Sequence, residues 1–338
     1  MTILGLETSC DDTAAAVYRD GRVLSESIST QLQHRAWGGV VPEIASRAHL
    51  QNILPVTQTT LEKAGVTFEA IEYIAVTAGP GLAGALLVGL NFARGLADGL
   101  KIPLIGINHL QAHIWAAEIG QEPIAAPFIS LIVSGGHTSL IRVNSVNDYC
   151  TIGQTLDDAA GEALDKVGKL QGLSYPAGAE IEKLAEGGDA GAIELPRGMA
   201  ASGDCNFSFS GLKTAARLFL ERNPKYLAIP LKNDFLAALQ EAVLDILVSK
   251  SLAALEQEKL STFVLGGGVS ANKRLRSKFS RRRELRLIAP QPQYCTDNGA
   301  MVAHFAYKLI QQGIEPLREI TAAPDLTVER SFHTVKSG

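Results

Sequence analysis

The sequence has few aromatic residues, little net charge, and cysteines that lie far apart. Aromatic side chains make up 6% of its 338 residues, whereas glycine occurs 32 times. We therefore expect tight turns and close packing of small side chains. Hydrophobic residues account for 46% of the chain and charged residues for 20%, which excludes an intrinsically disordered protein. This length predicts about two domains.

The four cysteines show no pattern that would predict a disulfide framework. Cys10, Cys150, Cys205 and Cys295 contain no Cys-x-x-Cys pair, which also argues against a thiolate zinc site. The first twelve residues have no basic leader and already contain three carboxylates. The sequence therefore predicts no signal peptide and a cytoplasmic location.

One uncharged stretch has the length of a membrane span. Residues 73–93 carry no charge over 21 positions, which would cross about 30 Å of hydrocarbon. However, Gly79-Pro80-Gly81 interrupts the stretch in its middle. The pattern favours a strand followed by a helix of small residues, and no membrane contact is expected.

The formal net charge of −4 excludes a protein that is basic over its whole surface. Binding of a nucleic acid would then need a local cluster of cations. Residues 273–286 hold eight basic residues and one acid. Such a run fits a polyphosphate backbone, and it equally fits a solvated helix end.

Strands and helices alternate in the first third of the chain, which predicts an α/β sheet covered by helices. Residues 2–8 and 13–19 read as a hairpin of two apolar strands around a polar turn. The pattern after it predicts strands near 22–30, 71–77 and 103–107, and helices at 42–64, 82–99 and from about 109.

A second hairpin, at 129–143, repeats the plan of the first and suggests a duplicated domain. No linker of low complexity separates the two halves. Further on, the sequence predicts helices near 157–170, 177–187 and 210–222, a strongly amphipathic helix at 231–259, a strand at 262–265 and a helix at 297–312.

Two glycine-containing turns are candidates for binding a phosphate or carboxylate. Residues 263–272 run from a buried strand through three glycines into a helix, and Asn272 follows them. Glycines let main-chain N–H groups approach an anion, and the start of a helix favours negative charge. The turn at 134–138, SGGHT, has the same features. Each turn alone also fits an ordinary connection without a ligand.

Histidines and carboxylates form the remaining candidate sites. His109 and His113 lie four positions apart, so both imidazoles would share one face of a helix, as neighbouring metal ligands require. Asp297 is a candidate third ligand. Asp11 and Asp12 crowd the first turn together with Glu7, where a base or a metal-facing group would be useful.

Taken together, these segments resemble the bacterial tRNA N6-adenosine threonylcarbamoyltransferases. The resemblance implies an α/β fold with two duplicated lobes of the actin, sugar-kinase and Hsp70 type around a nucleotide cleft. The lobes would comprise 1–127 with about 300–338, and 128–299. The motifs that carry it are ETSCDDT at 7–13, TAGPGLAGALLVG at 77–89, NHLQAH at 108–113, LIVSGGHT at 131–138, NFSFSGLKTA at 206–215, LGGGVSAN at 265–272 and CTDNGAM at 295–301.

The same resemblance implies an activity. The threonylcarbamoyl group of threonylcarbamoyl-AMP would be transferred to N6 of adenosine 37 in tRNAs that read ANN codons. One divalent metal ion, iron or zinc, would be held by His109, His113 and Asp297. The implied partners are tRNA, a shorter paralogue of the same fold and a small P-loop ATPase.

The resemblance also assigns roles to individual residues. Asp11 and Asp12 would be catalytic candidates, and Glu182 would lie near a ribose. The acyl-adenylate would be held by Ile132, Val133, Ser134, Gly135, Gly136, Asp165, Gly178 and Asn272. The tRNA expectation, in contrast, follows from charge and not from the resemblance: a tRNA bound at the basic run, directly after the glycine loop, would lie near this donor.

Two positions depart from the family pattern. Asp12 stands where the family has glutamate, which shortens a catalytic or tRNA-facing carboxylate by one methylene. Ala177 replaces the first glycine of the family's YPGG motif, beside the ligand loop.

The residues argue against three other functions. A zinc peptidase would need a glutamate after the first histidine, where the chain has Leu110 and Gln111. A small-molecule kinase of the same fold would leave the histidine pair unexplained. A nucleotide-binding scaffold is disfavoured because every proposed ligand is retained.

Overall fold

The computed structural model describes residues 1–199, 202–316 and 319–334, which form two compact units. Unit 1 comprises Met1–Ala125, Asn144–Tyr149 and Pro290–Gly338, and unit 2 comprises Ala126–Val143 and Cys150–Ala289. The predicted lobe boundaries near 127 and 300 stay a prediction. Those lobes include residues 200, 201, 317, 318 and 335–338, which lie outside the described residues.

Unit 1 contains a five-stranded sheet in the order β3-β2-β1-β4-β5. The first three strands form an antiparallel meander, and β4 and β5 continue it in parallel with β1. The predicted hairpin and the strands near 22–30, 71–77 and 103–107 are confirmed. The strands are β1 (Thr2–Glu7), β2 (Asp12–Arg19), β3 (Arg22–Thr30), β4 (Tyr73–Gly79) and β5 (Leu104–Asn108).

Three helices of unit 1 follow these strands and confirm the predicted alternation. Helix α1 (Pro42–Ala64) contains Pro55, α2 is Ala83–Leu100, and α3 is the short segment His109–Trp115. Leu4 and Leu6 of β1 share a buried cluster with Leu61 of α1 and Leu90 of α2. One face of the sheet therefore packs against α1 and α2.

Unit 2 repeats the same sheet plan. Its order, β8-β7-β6-β9-β10, corresponds strand for strand to that of unit 1, with β6 and β7 antiparallel and β6, β9 and β10 parallel. The predicted duplication is therefore confirmed in the topology. The strands are β6 (Phe128–Val133), β7 (Thr138–Ser145), β8 (Asp148–Gln154), β9 (Thr262–Gly266) and β10 (Arg286–Ile288).

The sequence did not predict β8 or β10. Strand β8 has five exposed or half-buried residues in no clean alternation, and β10 has three residues, all at least partly exposed. Both are edge strands of the sheet. Their pairing partners, rather than their own pattern, define them.

The helices of unit 2 confirm the predicted positions within a few residues. They are α4 (Ala160–Leu170), α5 (Gly178–Ala185), α6 (Ser210–Arg222), α7 (Leu231–Glu258) and α8 (Lys273–Ser280). The expectation that α7 is strongly amphipathic is wrong in one respect. Five consecutive residues, Phe235–Leu239, are buried, because β6, α4, α5 and α8 all pack against this helix.

The chain then returns to unit 1. Helix α9 (Gly299–Gln311), predicted at 297–312, packs against β1 and β2 on the face opposite α1 and α2. Two short strands, β11 (Glu315–Pro316) and β12 (His333–Thr334), pair in the tail. Among the described residues, no helix is both long enough and apolar enough to cross a membrane.

The contact between β1 and α9 depends on Gly5. A Cβ atom at this position would collide with the main-chain oxygen of Gly299 and would lie 2.7 Å from Ala303 Cβ. Gly95, in contrast, lies exposed within α2, and an added Cβ would meet no atom within 4 Å.

We predict opposite effects of the same substitution at these two glycines. Gly5→Ala should lower the free energy of unfolding by about 1–3 kcal/mol, because the surrounding main chain must shift. Gly95→Ala should raise it by about 0.5–1 kcal/mol through helix propensity. Urea denaturation of both variants checks this, and equal midpoints for Gly5→Ala and the unmodified chain would contradict it.

Candidate metal centre and ligand loops

The two histidines lie on α3, which begins directly after β5. Asn108 caps the helix, since its Oδ1 accepts hydrogen bonds from Leu110 N at 2.9 Å and Gln111 N at 3.3 Å. The Asn108 Nδ2 donates to main-chain oxygens of Thr327 and Arg330. The spacing of four residues then places the two imidazoles side by side, with ring centroids 4.5 Å apart.

Asp297 approaches this pair from the loop before α9. Its Oδ1 lies 3.0 Å from His113 Nε2 and 3.5 Å from His109 Nε2. One ligand atom from each of the three residues lies within 4.8 Å of the others. The structure therefore brings together three residues that the sequence separates by up to 188 positions (297 − 109). Two imidazoles and one carboxylate suit iron(II) or zinc and leave coordination positions open.

A fourth residue, Glu7, lies behind His109. Its Oε2 is 3.1 Å from His109 Nδ1 and accepts a hydrogen bond from Thr77 Oγ1 at 2.5 Å, while Oε1 accepts from Ser9 N at 2.5 Å. The sequence showed Glu7 as one of three clustered acids but gave no partner for it. Its place in the ETS motif was the one available signal.

The carboxylates change the charge state of His109. Burial lowers the pKa of this imidazole, but Asp297 and Glu7 together raise it to about 9. Burial likewise raises the pKa of Glu7, but His109 outweighs it and holds the pKa below its usual value. At neutral pH without metal, a proton on His109 therefore supplies the positive charge that a divalent cation would replace.

Asp12 and Asp11 differ in their environments. Burial is the main cause that raises the pKa of Asp12 to about 7; a hydrogen bond with Thr30 opposes this shift, and the charges of Asp297 and Asp11 contribute to it. The Oδ1 of Asp12 is buried without a hydrogen-bond partner among the described residues. Asp11 is half-buried. A carboxyl group that titrates near neutral pH is suited to general base catalysis.

In unit 2, the turn between β6 and β7 is open. Gly135 and Gly136 are exposed, and a Cβ at either would meet no atom within 4 Å. The Oγ of Ser134 accepts hydrogen bonds from the amides of Gly136 and His137 at 3.3 and 3.1 Å. Ile132 and Val133 are buried in β6. Both pair with β7, and Ile132 also pairs with Gly266 of β9, so these two residues hold the turn in place from the sheet.

The second glycine turn is shaped by packing on β6. Gly267 has a φ of +84°, and a Cβ there would lie 2.5 Å from Val133 O. The side chain of Asn272 caps α8 by accepting from Leu275 N at 2.9 Å, and it donates to Gln240 Oε1 at 2.8 Å. The Asn272 amide, which the resemblance assigns to the acyl-adenylate, is therefore already engaged within the protein.

The remaining predicted ligand residues cluster in two pairs. Glu182 Oε1 accepts from Lys273 N at 2.7 Å, next to Asn272. Asp165 Oδ1 accepts from Ala177 N at 2.6 Å, next to Gly178. Ala177 is 1% exposed and faces Gly168 of α4. The methyl group at this departure from YPGG is therefore buried against α4.

The basic run separates into two parts. In α8, Arg274 pairs with Glu241 at 3.0 Å, and Lys278 pairs with Glu241 and Asp245 at 2.5 and 2.6 Å. Arg281, Arg282 and Arg283 are exposed. They precede β10, whose first amide, Arg286 N, bonds to Ser261 O at the amino end of β9.

The position of the exposed arginines bears on one expectation. Gly267 follows the carboxyl end of β9, and α8 then returns the chain so that β10 begins beside the amino end of β9. The three arginines therefore lie near the end of β9 opposite to Gly267, and this five-residue strand is roughly 16 Å long. That a tRNA bound at the basic run lies near the donor stays a prediction.

Comparison with known proteins bears on these sites. The model of the TsaD family, described as tRNA N6-adenosine threonylcarbamoyltransferase, matches residues 22–304. The chain belongs to the tRNA N6-adenosine threonylcarbamoyltransferase family. Relatives with that name include one from Thermosipho africanus, 44% identical over 97% of this chain and 100% of its own length. One from Geobacter metallireducens is 50% identical over 90% of each chain.

Solved structures resemble this family member in fold. The activator of 2-hydroxyisocaproyl-CoA dehydratase from Clostridium difficile has a TM-score of 0.55 at 16% identity, covering 94% of this chain and 100% of that one. HypF from T. kodakarensis has a TM-score of 0.60 at 13% identity, covering 92% and 48%. These likenesses confirm the predicted α/β fold class of the actin, sugar-kinase and Hsp70 type.

We predict that metal binding by this threonylcarbamoyltransferase family member depends on both histidines. His109→Ala and His113→Ala should each lower metal content and activity together, because each removes one of three protein ligands. His49→Gln is a matched control, since this buried histidine contacts Thr13 and Cys10 instead. Elemental analysis of the purified variants measures the effect, and a full metal equivalent in the double alanine variant would contradict the assignment.

Proposed function

We propose that this chain transfers the threonylcarbamoyl group of threonylcarbamoyl-AMP to N6 of adenosine 37 in tRNAs that read ANN codons. The observation that carries the proposal is the convergence of His109, His113 and Asp297 in a member of the tRNA N6-adenosine threonylcarbamoyltransferase family. The names of the relatives state a tRNA adenosine acceptor and a threonylcarbamoyl donor group.

The reaction needs no nucleophile from the protein. The donor is a mixed carbamic–phosphoric anhydride and is already activated. The N6 amine forms a bond to the carbamoyl carbon, the bond from that carbon to the phosphate oxygen breaks, and AMP leaves. The amine loses one proton, which a base must accept. A divalent iron or zinc ion bound by His109, His113 and Asp297 would supply Lewis-acid polarisation of the donor.

Asp12 is the base that the electrostatics favour. Its pKa of about 7 lets a large fraction of the carboxyl group be ionised at neutral pH while it can still take up a proton. The unpartnered Oδ1 provides an acceptor. Asp11 would contribute its negative charge, since it raises the Asp12 pKa.

In this proposal, unit 2 binds the donor, threonylcarbamoyl-AMP. The open turn at Gly135 and Gly136 would let main-chain amides approach the phosphate or the acyl oxygen. Glu182 and Asn272 lie together at the start of α8, where the carboxylate would accept hydrogen bonds from ribose hydroxyls. Ile132 and Val133 would support the donor-binding turn from β6, and Asp165 would hold the segment that leads to Gly178.

A peptidase function finds no support at the histidine pair. Leu110 stands where a zinc peptidase has its glutamate. The next residue, Gln111, is buried, and its Nε2 donates a hydrogen bond to Val328 O at 2.7 Å. Glu7, the carboxylate nearest His109 Nδ1, already accepts hydrogen bonds from Ser9 and Thr77. Neither side chain is placed to activate a water molecule at the metal.

A reconstituted transfer assay tests the proposed function. The protein is incubated with tRNA and threonylcarbamoyl-AMP, with ATP, or with peptides, in the presence of the shorter paralogue and the P-loop ATPase that we propose as partners. Threonylcarbamoyladenosine detected by nucleoside mass spectrometry is the expected product. Peptide cleavage or transfer of phosphate to a small molecule, without the modified nucleoside, would refute the proposal.

Asp12→Asn should lower kcat by about 10²–10⁴-fold with little change in the KM for the donor, because proton removal is lost while binding groups remain. Asp20→Asn is the control, since this exposed carboxylate pairs with the N-terminus. In the unmodified chain, kcat should fall as pH drops below about 7, where Asp12 becomes protonated. An unchanged kcat in Asp12→Asn would show that Asp12 is not the base.

For tRNA, we propose a phosphate contact at Arg281–Arg283. These exposed arginines differ from Arg274 and Lys278, whose charges are paired with α7. Because the chain has a net charge of −4, it can bind a polyanion only through a local patch of exposed cations such as this one. The proposal does not require the arginines to be near the donor, because a tRNA is much longer than one strand.

Replacing all three arginines with alanine should weaken tRNA binding and reduce the log–log salt slope by up to roughly three units. The control replaces Arg217, Arg222 and Lys225, exposed cations elsewhere in the same unit, with alanine. Metal content and donor affinity should not change in either variant. If the salt dependence of tRNA affinity has the same slope for the arginine variant and the unmodified chain, Arg281–Arg283 do not contact the tRNA.

A further inference from the structure

We propose that Glu7 is a positioning residue for the metal centre and that it acts through His109. Its carboxylate holds the imidazole with the proton on Nδ1, so that Nε2 presents its lone pair to the cation. This inference rests on the proposed metal site and adds a residue that the metal-ligand set does not contain.

The two nitrogens of His109 face different groups. Nδ1 lies 3.1 Å from Glu7 Oε2 and 3.2 Å from Ser9 Oγ, whereas Nε2 lies 3.5 Å from Asp297 Oδ1. An ionised carboxylate can only accept a hydrogen bond, so the neutral imidazole must carry its proton on Nδ1. Contacts on both sides also fix the rotation of the ring. Histidine ligands are commonly held in this way by a carboxylate.

Glu7 can hold His109 because its own position is rigid. The residue is 0% exposed, and it ends β1 next to the neighbouring strand β4 that carries Thr77. The amide of Ser9 and the hydroxyl of Thr77 each donate to it at 2.5 Å. The adjacent Thr8 Oγ1 donates to Ala85 O at 3.0 Å and anchors the segment to α2. The central strands of the sheet therefore set the ring position.

His113 offers an internal contrast. Its Nε2 also faces Asp297, but its Nδ1 is buried without a hydrogen-bond partner among the described residues. The two ligands are therefore held differently, His109 by a carboxylate and His113 by packing. Loss of the Glu7 charge should act on one histidine and leave the other unchanged.

Charge balance supports the same assignment. With two neutral imidazoles, Glu7 and Asp297 supply the two negative charges in contact with the histidines, and both would offset the charge of a divalent cation. Loss of the Glu7 charge would remove one of these favourable interactions from a buried region, where charges interact strongly. Glu7 therefore contributes both ring orientation and charge.

Zinc affinity, measured by competition with a chromophoric chelator, tests the proposal. Glu7→Gln should bind zinc about 10–100-fold more weakly than the unmodified chain, as is typical when a carboxylate behind a ligand is lost. Glu118→Gln is the matched control, since this buried carboxylate of unit 1 contacts Lys308 and Ile124 instead. It should stay within about twofold. Equal zinc affinity of a folded Glu7→Gln variant and the unmodified chain would overturn the proposal.

A second measurement needs no substitution, and it tests the proposed role of Glu7 even if the variant fails to fold. In the zinc-loaded, unmodified chain, long-range ¹H–¹⁵N correlation spectra should show His109 with its proton on Nδ1 and with Nε2 bound to zinc. A proton on Nε2 would overturn the role of Glu7. Failure of the unmodified chain to bind zinc or iron would instead refute the metal site itself, so the two failures are distinguishable.

Discussion

A buried carboxylate at the end of the central strand is the constraint on which unit 1 depends. Glu7 is fully buried, so its charge must be compensated where it lies. Ser9 and Thr77 donate hydrogen bonds from the sheet itself, and His109 completes the set from α3. This requirement links β1, β4 and α3 at one point. The loop before α9 places Asp297 on the other side of the same imidazole, which completes the candidate metal centre.

The two units use one sheet plan for different purposes. In unit 1, the turn between β1 and β2 carries Asp11, and Asp12, whose pKa of about 7 suits proton transfer, begins β2. In unit 2, the corresponding turn between β6 and β7 carries two exposed glycines. The duplicated scaffold thus presents a carboxylate turn in one copy and an open main-chain turn in the other.

Local patterns predicted much of this arrangement, and long-range contacts account for what they missed. Apolar alternation predicted the hairpins, and the four-residue spacing predicted that His109 and His113 share a face. Nothing local could show that Asp297 reaches them or that Glu7 lies behind His109, since sheet and helix packing create both contacts. The edge strand β10 was missed for the same reason, because pairing with β9 defines it.

The basic run shows that a cluster of cations in the sequence need not form a basic patch on the protein surface. Glu241 and Asp245 lie one helical turn apart on α7, and they meet Arg274 and Lys278 of α8. Those cations stabilise the packing of two helices. Because their charges are already paired with carboxylates, they would attract a polyanion less strongly than unpaired cations. The arginines beyond α8 have left the helix and are exposed. The part of the run that can meet a phosphate is therefore decided by the neighbouring helix, which lies more than twenty residues earlier in the chain.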